Sequence, residues 1–432
     1  MTPETESEIL GVLEAHEDPL LSWGVVDGGF TEDELHTHID DVLMQRGELD
    51  TAQDAIEALE DKGLIIRDSA VSPSRWRTRN GETLRLLARL RQILPSGDPA
   101  AWRQGAALVS DFRYARRPRA YPRRDQSRHA VVDGTDALHD LYRQVIDAMT
   151  RRGPQHADLS GFQVRASRQI FTALQSNITT ATVVGAGTGS GKTLAFYLPA
   201  FAYLTGLQDK STWTRALAVY PRNELLKDQL NTAFANARRL DHLWTKTNGR
   251  PMTIGVLNKD TPTSTKSLTA SYSAWTKRAE GFQCPHFTCP GDGYTVCGGT
   301  LFWSEQDARA RTERLTCSTC KRVFDDSMLV LTRSRMSQRP PDVLFTTTEM
   351  LNRGLSDLSL GTLFGIGAAK KPRLMLLDEI HTYSGTTGAQ AALVLRRWHH
   401  SLRGPVTFVG LSATLSNAVR HMSDLTGVDD GL

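Results

Sequence analysis

The sequence predicts an α/β protein with a parallel sheet, preceded by a smaller α+β unit. After about residue 159, short apolar runs rich in β-branched residues alternate with helical patterns, as strand–helix–strand units require. A glycine-rich loop joins the first of these strands to its helix. Five cysteines cluster between two later strands, which indicates an insert in the sheet.

Composition excludes several classes of protein. The length of 432 residues favours about two to four domains. The net charge is only +3, so any signal for nucleic acid must be local. The N-terminus is acidic and polar, unlike a secretory signal, and no apolar run approaches the roughly 18 residues that span a bilayer. Clustered cysteines suit a metal site in a reducing compartment, so we expect a cytoplasmic protein.

Residues 1–95 are predicted to form a small domain of helices followed by a β-hairpin. One helix begins at Thr31, another extends from Thr51 to about Lys62, and the second hairpin strand is Arg75–Thr78. This order resembles a winged-helix domain, in which the helix before the wing can enter a DNA groove while the wing contacts phosphates. That helix is acidic here, so a domain that packs on its neighbour and binds nothing is an equally open interpretation.

Residues 96–158 are predicted to form a basic linker and a covering helix. Arginines are interleaved with tyrosines between residues 113 and 128, and arginine forks match phosphates while tyrosine rings offer stacking faces. The segment is either a nucleic-acid contact or a solvated linker. The candidate contacts are Arg116, Arg117, Arg119, Arg123 and Arg124. An amphipathic pattern from Asp136 to Thr150 predicts a helix that covers the next domain.

The loop from Gly185 to Thr193 follows the pattern of a phosphate-binding loop, with a strand before it and a helix after it. Backbone N–H groups in such a loop cradle a polyphosphate, and the helix dipole adds to the attraction. The cradle residues are Gly187, Thr188, Gly189, Ser190 and Gly191. Lys192 would reach the β- and γ-phosphates and the Thr193 hydroxyl would hold Mg²⁺, so the predicted ligands are ATP and Mg²⁺.

A second motif, Asp378-Glu379-Ile380-His381, follows the predicted strand 374–377. A carboxylate at the carboxyl end of a parallel strand can hold Mg²⁺ opposite Thr193, and the next carboxylate can orient the attacking water. A further strand, 406–409, leads into the segment from Gly410 to Leu415. The phosphate-binding loop upstream makes this combination far more specific than either motif by itself.

These motifs, in this order, resemble the first RecA-like domain of a DEAD/DEAH-type superfamily 2 helicase over residues 159–432. Phe162 and Gln169 are similar to the segment in which that family reads the adenine of ATP. The resemblance implies that nucleic acid contacts Arg222, Thr346 and Thr347. It also implies catalytic roles for Lys192, Asp378, Glu379 and His381, and a role for Ser412 and Thr414 in coupling ATP hydrolysis to movement.

The cysteines lie in an insert, residues 282–326, between the third and fourth predicted strands of the sheet. Cys-x2-Cys and Cys-Gly-Gly are typical of metal knuckles, and four thiolates in a closed shell suit a structural Zn²⁺. Five candidate ligands are present: Cys284, Cys289, Cys297, Cys317 and Cys320. Four of them are expected to bind the metal, with either Cys284 or Cys289 spare and His286 a weaker substitute. We expect a small zinc ribbon over the nucleic-acid side of the sheet.

The sequence D-E-I-H-T-Y-S-G around the second motif resembles most the bacterial helicases with a DUF1998 region, which include the MrfA repair and DISARM DrmA anti-phage types. The resemblance implies an ATP-dependent DNA helicase or translocase in DNA repair or phage defence. A second RecA-like domain, in cis or on a partner chain, would complete the ATP cleft, and without it we expect little activity. The alternative is a nucleic-acid-binding ATP switch or scaffold that does not unwind.

Overall fold

The computed structural model describes residues 1–22, 25–69, 73–93, 121–133, 138–187, 189–269, 274–413, 415 and 417–429. The chain divides into two compact units, Met1–Pro118 and Arg119–Leu432. Some predicted site residues lie outside the described residues: Arg116, Arg117, Arg119, Thr188 and Thr414. Within the described part of the chain, no helix has both the length and the apolar character needed to cross a bilayer.

The first unit combines helices with one antiparallel hairpin. Its elements are α1 (Pro3–Ser22), α2 (Glu32–Arg46), α3 (Ala52–Asp61), β1 (Ile65–Asp68), β2 (Arg75–Thr78) and α4 (Arg79–Ile93). Thr31 and Thr51 form capping boxes at the starts of α2 and α3, which satisfy backbone N–H groups that a helix leaves unpaired. The predicted order of helix, helix and hairpin is present. DNA binding by this unit stays a prediction.

One arginine of the hairpin is engaged within the protein. Arg77 is only 3% exposed, and its guanidinium donates hydrogen bonds to the backbone oxygens of Asp27 (3.1 Å) and Gly28 (2.6 Å) and to the carboxylate of Asp68 (2.9 Å). These bonds hold the hairpin to the loop after α1. Arg77 is therefore unavailable to a phosphate in this conformation, and Arg67, exposed over the ring of Trp76, is the freer cation of the hairpin.

The second unit contains the remaining elements. In chain order they are β3 (Arg124–Gln126), α5 (His139–Thr150), β4 (Arg151–Arg152), β5 (Gln155–His156), β6 (Leu159–Ser160), α6 (Gly161–Gln175), β7 (Thr180–Gly185), α7 (Lys192–Gly206), β8 (Ala216–Tyr220), α8 (Asn223–Arg239), α9 (Asp241–Asn248), β9 (Ile254–Leu257), α10 (Thr265–Thr269), β10 (Lys277–Arg278), β11 (Gly281–Thr288), β12 (Thr300–Trp303), α11 (Glu305–Arg309), β13 (Arg314–Cys317), β14 (Val323–Asp325), β15 (Leu329–Val330), α12 (Arg333–Gln338), β16 (Val343–Thr347), α13 (Thr348–Ser356), α14 (Leu358–Gly361), β17 (Leu374–Leu377), α15 (Gly385–Leu402), β18 (Thr407–Ser412) and α16 (Ala418–Thr426). Short 3-10 turns occur at Arg128–Val131, Thr362–Phe364 and Ile380–Thr382.

A seven-stranded sheet forms the centre of this unit, in the order β15–β9–β16–β8–β17–β18–β7. Its strand pairs are parallel, which confirms the predicted fold class. Strand β18 pairs with β7 on one side and β17 on the other. Because parallel strands end at the same edge, the glycine loop, Asp378 and Ser412 meet there. The edge strand β15 was not predicted, because a strand of only two apolar residues is too short to show a recognisable sequence pattern.

Both faces of the sheet are covered, as the sequence of continuous apolar strands implies. Successive side chains of β17 go to opposite faces. Leu374 and Leu376 join the core formed with α5 to α8, whereas Met375 and Leu377 join the core formed with α13, α15 and α16. The covering helix predicted near residues 136–150 is α5, which packs its Tyr142 ring 4.8 Å from the ring of Phe171.

The cysteine insert is a five-stranded antiparallel sheet, β10 to β14, between β9 and β15. It packs on α8, where the ring of Phe234 lies 5.2 Å from those of Phe287 and Phe324. Asn231 Oδ1 accepts hydrogen bonds from the backbone N–H (2.8 Å) and hydroxyl (3.0 Å) of Thr288. The insert therefore shares a core with the seven-stranded sheet.

Replacing Phe234 with alanine should lower the free energy of unfolding by about 3–5 kcal/mol, because the ring fills the junction between α8 and the insert. Urea titration of the second unit's unfolding would measure the loss. Leu225→Ala is the matched control, since Leu225 lies on the same helix but is 37% exposed. Equal effects of the two substitutions would contradict this packing.

Candidate nucleotide and metal sites

The glycine loop lies between the end of β7 at Gly185 and the start of α7 at Lys192. Gly189 and Gly191 have φ values of 76° and 94°, in the left-handed region that glycine adopts without strain. Lys192 Nζ and Ser190 Oγ are buried, yet neither has a hydrogen-bond partner among the described residues. Buried polar atoms are normally paired, so these two atoms fit a site built for an anionic ligand.

Thr193, the predicted Mg²⁺ ligand, lies in the first turn of α7. Its Oγ1 accepts a hydrogen bond from Gln229 Nε2 at 3.3 Å, and the Gln229 carbonyl accepts one from the Tyr197 hydroxyl at 3.2 Å. Gln229 belongs to α8, so this helix helps to position the threonine hydroxyl. The sequence analysis did not single out Gln229, because its partner is 36 residues away on another helix.

Asp378 follows β17 at the same sheet edge and is 5% exposed. Burial raises the pKa of this carboxyl to about 6, helped by the charge of Glu379 and opposed by the Glu379 N–H, which donates to Asp378 Oδ1 at 2.8 Å. The group is therefore ionised at neutral pH and becomes protonated near pH 6. An ionised carboxylate and a threonine hydroxyl are oxygen ligands of the kind Mg²⁺ prefers, so Asp378 and Thr193 fit that ion.

Glu379 occupies an unusual backbone conformation. Its φ of 49° is left-handed, which costs on the order of 1–3 kcal/mol for a residue with a side chain. Glu379 Oε2 is buried without a hydrogen bond, although His381 Nδ1 lies 3.2 Å from it. His381 Nδ1 also lies 3.3 Å from Ser412 Oγ. The histidine therefore connects the candidate catalytic carboxylate to the candidate coupling residue on β18.

Two glutamines on α6 differ in their relation to the glycine loop. Gln169, the predicted adenine reader, is an exposed residue in the second half of the helix. Gln163 lies in the first turn, is 1% exposed, and donates from Nε2 to the Gly191 carbonyl at 3.0 Å. The structure thus brings Gln163 to the loop, and its capping box with Ser160 was the sequence signal that could have revealed it.

The candidate nucleic-acid residues are placed differently from one another. Arg222 is exposed at the N-cap of α8. Thr346 is fully buried and its hydroxyl donates to the Leu257 carbonyl at 2.9 Å, so this side chain is unavailable to a nucleic-acid strand in this conformation. Thr347 uses its hydroxyl to cap α13. Arg123 and Arg124 are exposed, and Arg124 lies beside Gly191 of the glycine loop.

Four cysteines of the insert converge on one point. The Sγ atoms of Cys289, Cys297, Cys317 and Cys320 all lie within 4.8 Å of one another. Two of these separations are 3.5 Å (Cys289–Cys320) and 3.8 Å (Cys297–Cys317), close to the roughly 3.8 Å that tetrahedral ligands with Zn–S bonds of about 2.3 Å would show. The donor set and its spacing fit a structural Zn²⁺.

Backbone groups prepare these sulfurs for a metal. N–H groups of Gly291 and Thr319 donate to the sulfurs of Cys289 and Cys317, each at 3.4 Å. Burial acts to raise the pKa of Cys317, but N–H groups of Cys320 and Thr319 lower it to about 7, which favours the thiolate that binds metal.

Cys284 lies outside this group. It is 5% exposed, and burial raises the pKa of its thiol to about 11, so the sulfur stays protonated. His286, the weaker substitute ligand, is also buried, and burial lowers the pKa of its imidazole to about 4. Both residues pack in the insert's core rather than at the sulfur cluster.

Comparison with known proteins supports the helicase resemblance. Residues 163–255 match the sequence profile of the DEAD/DEAH box helicase family. The Lhr helicase/uracil glycosylase of Escherichia coli (strain K12) is 36% identical over 87 residues, which are 20% of this chain and 5% of that protein. The ATP-dependent helicase hrq1 of Schizosaccharomyces pombe is 30% identical over 96 residues, 21% of this chain and 9% of that protein. The chain spans less than a tenth of the length of these relatives.

Solved helicase structures are also similar, at low scores. The DUF1998 helicase MrfA bound to DNA and AMPPNP shows 19% identity and a TM-score of 0.39, covering 72% of this chain and 31% of that one. The Mycobacterium smegmatis helicase Lhr bound to ssDNA and AMP-PNP shows 23% identity and a TM-score of 0.39, and the match covers 69% of this chain and 27% of that chain. Scores this low carry no argument about function.

The parallel sheet, the glycine loop and the carboxylates at the neighbouring strand end define a P-loop nucleotide-binding domain. The matched segment contains the glycine loop and Gln163. Over residues 163–255 this unit is therefore similar to the DEAD/DEAH box helicase family.

The purified chain should contain about one zinc ion per molecule, because four thiolates form one closed site. Cys320→Ser should release the ion and destabilise the insert, since the energy of metal binding contributes to folding. Elemental analysis of freshly purified, reduced protein measures the content. Cys284→Ser is the matched control and should retain the metal; loss of zinc from both variants, or zinc absent from the unaltered chain, would contradict the assignment.

Mg²⁺-dependent ATP binding should weaken as the pH falls through about 6, because protonation of Asp378 removes a candidate metal ligand. Below that pH the affinity should fall by about tenfold per pH unit, the proportionality expected when one deprotonated group is required. Titrations between pH 5 and 8 should be compared with Asp378→Asn, since the ratio of the two affinities cancels the titration of ATP itself. A ratio that does not change with pH would contradict the role of Asp378.

Proposed function

We propose that this chain is the first motor domain of an ATP-dependent DNA helicase or translocase, joined to an N-terminal accessory unit. One observation carries the proposal: buried Lys192 Nζ, which has no hydrogen-bond partner among the described residues, lies at the same sheet edge as Asp378 and Glu379, in a unit whose residues 163–255 match the DEAD/DEAH box family. ATP binding and hydrolysis supply the energy for strand movement in such a motor. The ATP site is therefore the part to test first.

The proposed reaction is transfer of the γ-phosphoryl group of ATP to water. Lys192 would neutralise charge on the β- and γ-phosphates, and the glycine-loop N–H groups would hold the polyphosphate. Thr193 and Asp378 would hold Mg²⁺, which neutralises developing phosphate charge when bound. Glu379 would orient the attacking water, and its buried Oε2, which makes no hydrogen bond to the described residues, supports this role.

His381 is proposed to transmit the state of the ATP site. Its Nδ1 lies 3.2 Å from Glu379 Oε2 and 3.3 Å from Ser412 Oγ. A movement of Glu379 would therefore shift His381 and alter its contact with Ser412. Ser412 ends β18, from which the chain continues toward α16. The segment after β18 is thereby linked to the carboxylate that would orient water.

Helix α8 supports a link between nucleic acid and ATP. Arg222 is exposed at its N-cap, and Gln229 on the same helix contacts Thr193. A strand phosphate bound by Arg222 would therefore act on the helix that positions the proposed Mg²⁺ ligand. We propose DNA as the nucleic acid, with DNA repair or phage defence as the setting, on the resemblance of the Asp378–Gly385 segment to DUF1998 helicases.

A second RecA-like domain, in cis or on a partner chain, is proposed to complete the motor. Lys192, Asp378 and Glu379 would form one wall of the ATP cleft, and the transition state needs positive charge from the opposite wall. Arginines of a second domain would supply that charge, and such arginines raise the rate of hydrolysis by about 10³–10⁵. Two domains are also needed to grip a strand in turn.

Lys192→Ala should reduce ATP affinity by roughly 10- to 150-fold, because a hydrogen bond to a charged group is worth about 1.5–3 kcal/mol. Glu379→Gln should retain ATP binding and lose hydrolysis in the assembled motor, since it changes only the group that orients water. Calorimetric titration with Mg-ATP measures the first effect. Lys246→Ala, an exposed lysine of α9, is the matched control; equal affinities of Lys192→Ala and the unaltered chain would refute the site.

Residues 1–432 by themselves should hydrolyse ATP near the background rate and separate no strands. Adding a second RecA-like domain should raise the rate by about 10³–10⁵ through its arginines, with further stimulation by DNA. A phosphate-release assay with and without single-stranded DNA measures both effects. Robust strand separation by residues 1–432 would contradict the need for a second domain.

A further inference from the structure

A cavity of about 430 Å³ opens beside the first turn of α7. Gly191, Thr193 and Leu194 form one part of its wall. Pro290 and Val296 of the cysteine insert form another part. The volume lies within the range of about 300–1,000 Å³ that is typical of small-molecule sites. The insert thus reaches the candidate nucleotide site.

Two polar side chains converge on this cavity near the glycine loop. Gln163 donates to the Gly191 carbonyl, and a Cβ on residue 191 would lie 3.9 Å from Arg124 Nη2. The same Cβ would come within 2.5 Å of Gln163 Nε2, so only glycine at residue 191 allows Gln163 to pack this closely against the loop. Leu194 and Val296 supply apolar surface. Apolar walls with a few polar groups suit a nucleoside better than a bare phosphate.

The loop of the insert that lines the cavity, residues 290–296, lies between two candidate metal ligands. Cys289 precedes it and Cys297 follows it, and a metal bound to both would fix the two ends of the loop. In the middle, the Gly293 carbonyl accepts a hydrogen bond from Arg239 Nε at 2.5 Å. The Tyr294 ring lies 5.4 Å from the guanidinium of Arg239. The loop is therefore held against α8 at its centre, and a metal bound to Cys289 and Cys297 would also hold its ends.

We propose that the 290–296 loop forms part of the nucleotide site and contacts the adenosine portion of bound ATP, with Arg124 as its polar partner, since the Gln163 amide is already bonded to Gly191 and Ser160. The inference rests on the proposed ATP site and adds a role for the metal. By setting the position of the loop, the metal raises the affinity for the nucleoside. The glycine loop and Lys192 bind the triphosphate independently of the insert.

The test compares Mg²⁺-dependent binding of ATP with that of inorganic tripolyphosphate, which lacks the nucleoside. Val296→Trp fills the cavity from the insert, and Val323→Trp is the matched control, because both valines are exposed residues of the insert (64% and 45%) and only Val296 lines the cavity. Val296→Trp should lower ATP affinity by about tenfold, the order of discrimination that an apolar pocket provides. It should leave tripolyphosphate binding unchanged, and Val323→Trp should change neither.

The metal provides a second comparison. Cys320→Ser, which removes one candidate ligand, should lower ATP affinity while tripolyphosphate binding persists. If that variant fails to fold, the Val296→Trp result decides the question. ATP affinity that depends on Lys192 but is unchanged by Val296→Trp would overturn this inference and leave the ATP site intact. ATP affinity that is equal in the unaltered chain and Lys192→Ala would overturn the proposed function and this inference with it.

Discussion

The parallel pairing of β18 with β7 on one side and β17 on the other is the constraint on which the candidate nucleotide site depends. Neighbouring strands lie about 4.8 Å apart, so the carboxyl ends of β7 and β17 are roughly 10 Å from each other. That separation allows Lys192 and Asp378 to approach one polyphosphate from two sides. Ser412 ends the strand between them, which is why His381 can contact both Ser412 and Glu379.

Helix α8 extends this arrangement to the rest of the unit. Gln229 contacts Thr193, Asn231 holds the insert through Thr288, and Arg239 holds the 290–296 loop. Each hydrogen bond contributes only about 0.5–1.5 kcal/mol, but the apolar junction around Phe234 orders the same helix. The insert thereby shares a core with the central sheet, and its 290–296 loop lines the cavity beside α7.

The candidate site contains buried polar atoms without hydrogen bonds and one strained backbone conformation. Among the described residues, Lys192 Nζ, Ser190 Oγ and Glu379 Oε2 are buried without a hydrogen-bond partner, and an unsatisfied buried group costs about 1–3 kcal/mol. Glu379 adds the cost of its left-handed backbone. The central strands next to the site pack into apolar cores on both faces of the sheet, and this packing offsets the unfavourable free energy of the site. Such departures are expected at functional sites, where binding a ligand pairs the atoms that the free protein leaves unpaired.

The sequence by itself determined the parallel sheet, the glycine loop, the Asp378–Glu379 pair and the clustering of the cysteines. Each of these is written in a contiguous pattern: apolar runs, a loop signature, or ligands close together along the chain. The tertiary structure alone decided that Gln163 contacts the loop, that Cys284 lies outside the sulfur cluster, and that Arg124 lies beside Gly191. These outcomes depend on contacts between residues 28 or more positions apart, such as that of Gln163 with Gly191, which only the packing of α6, α8 and the insert against the sheet can specify.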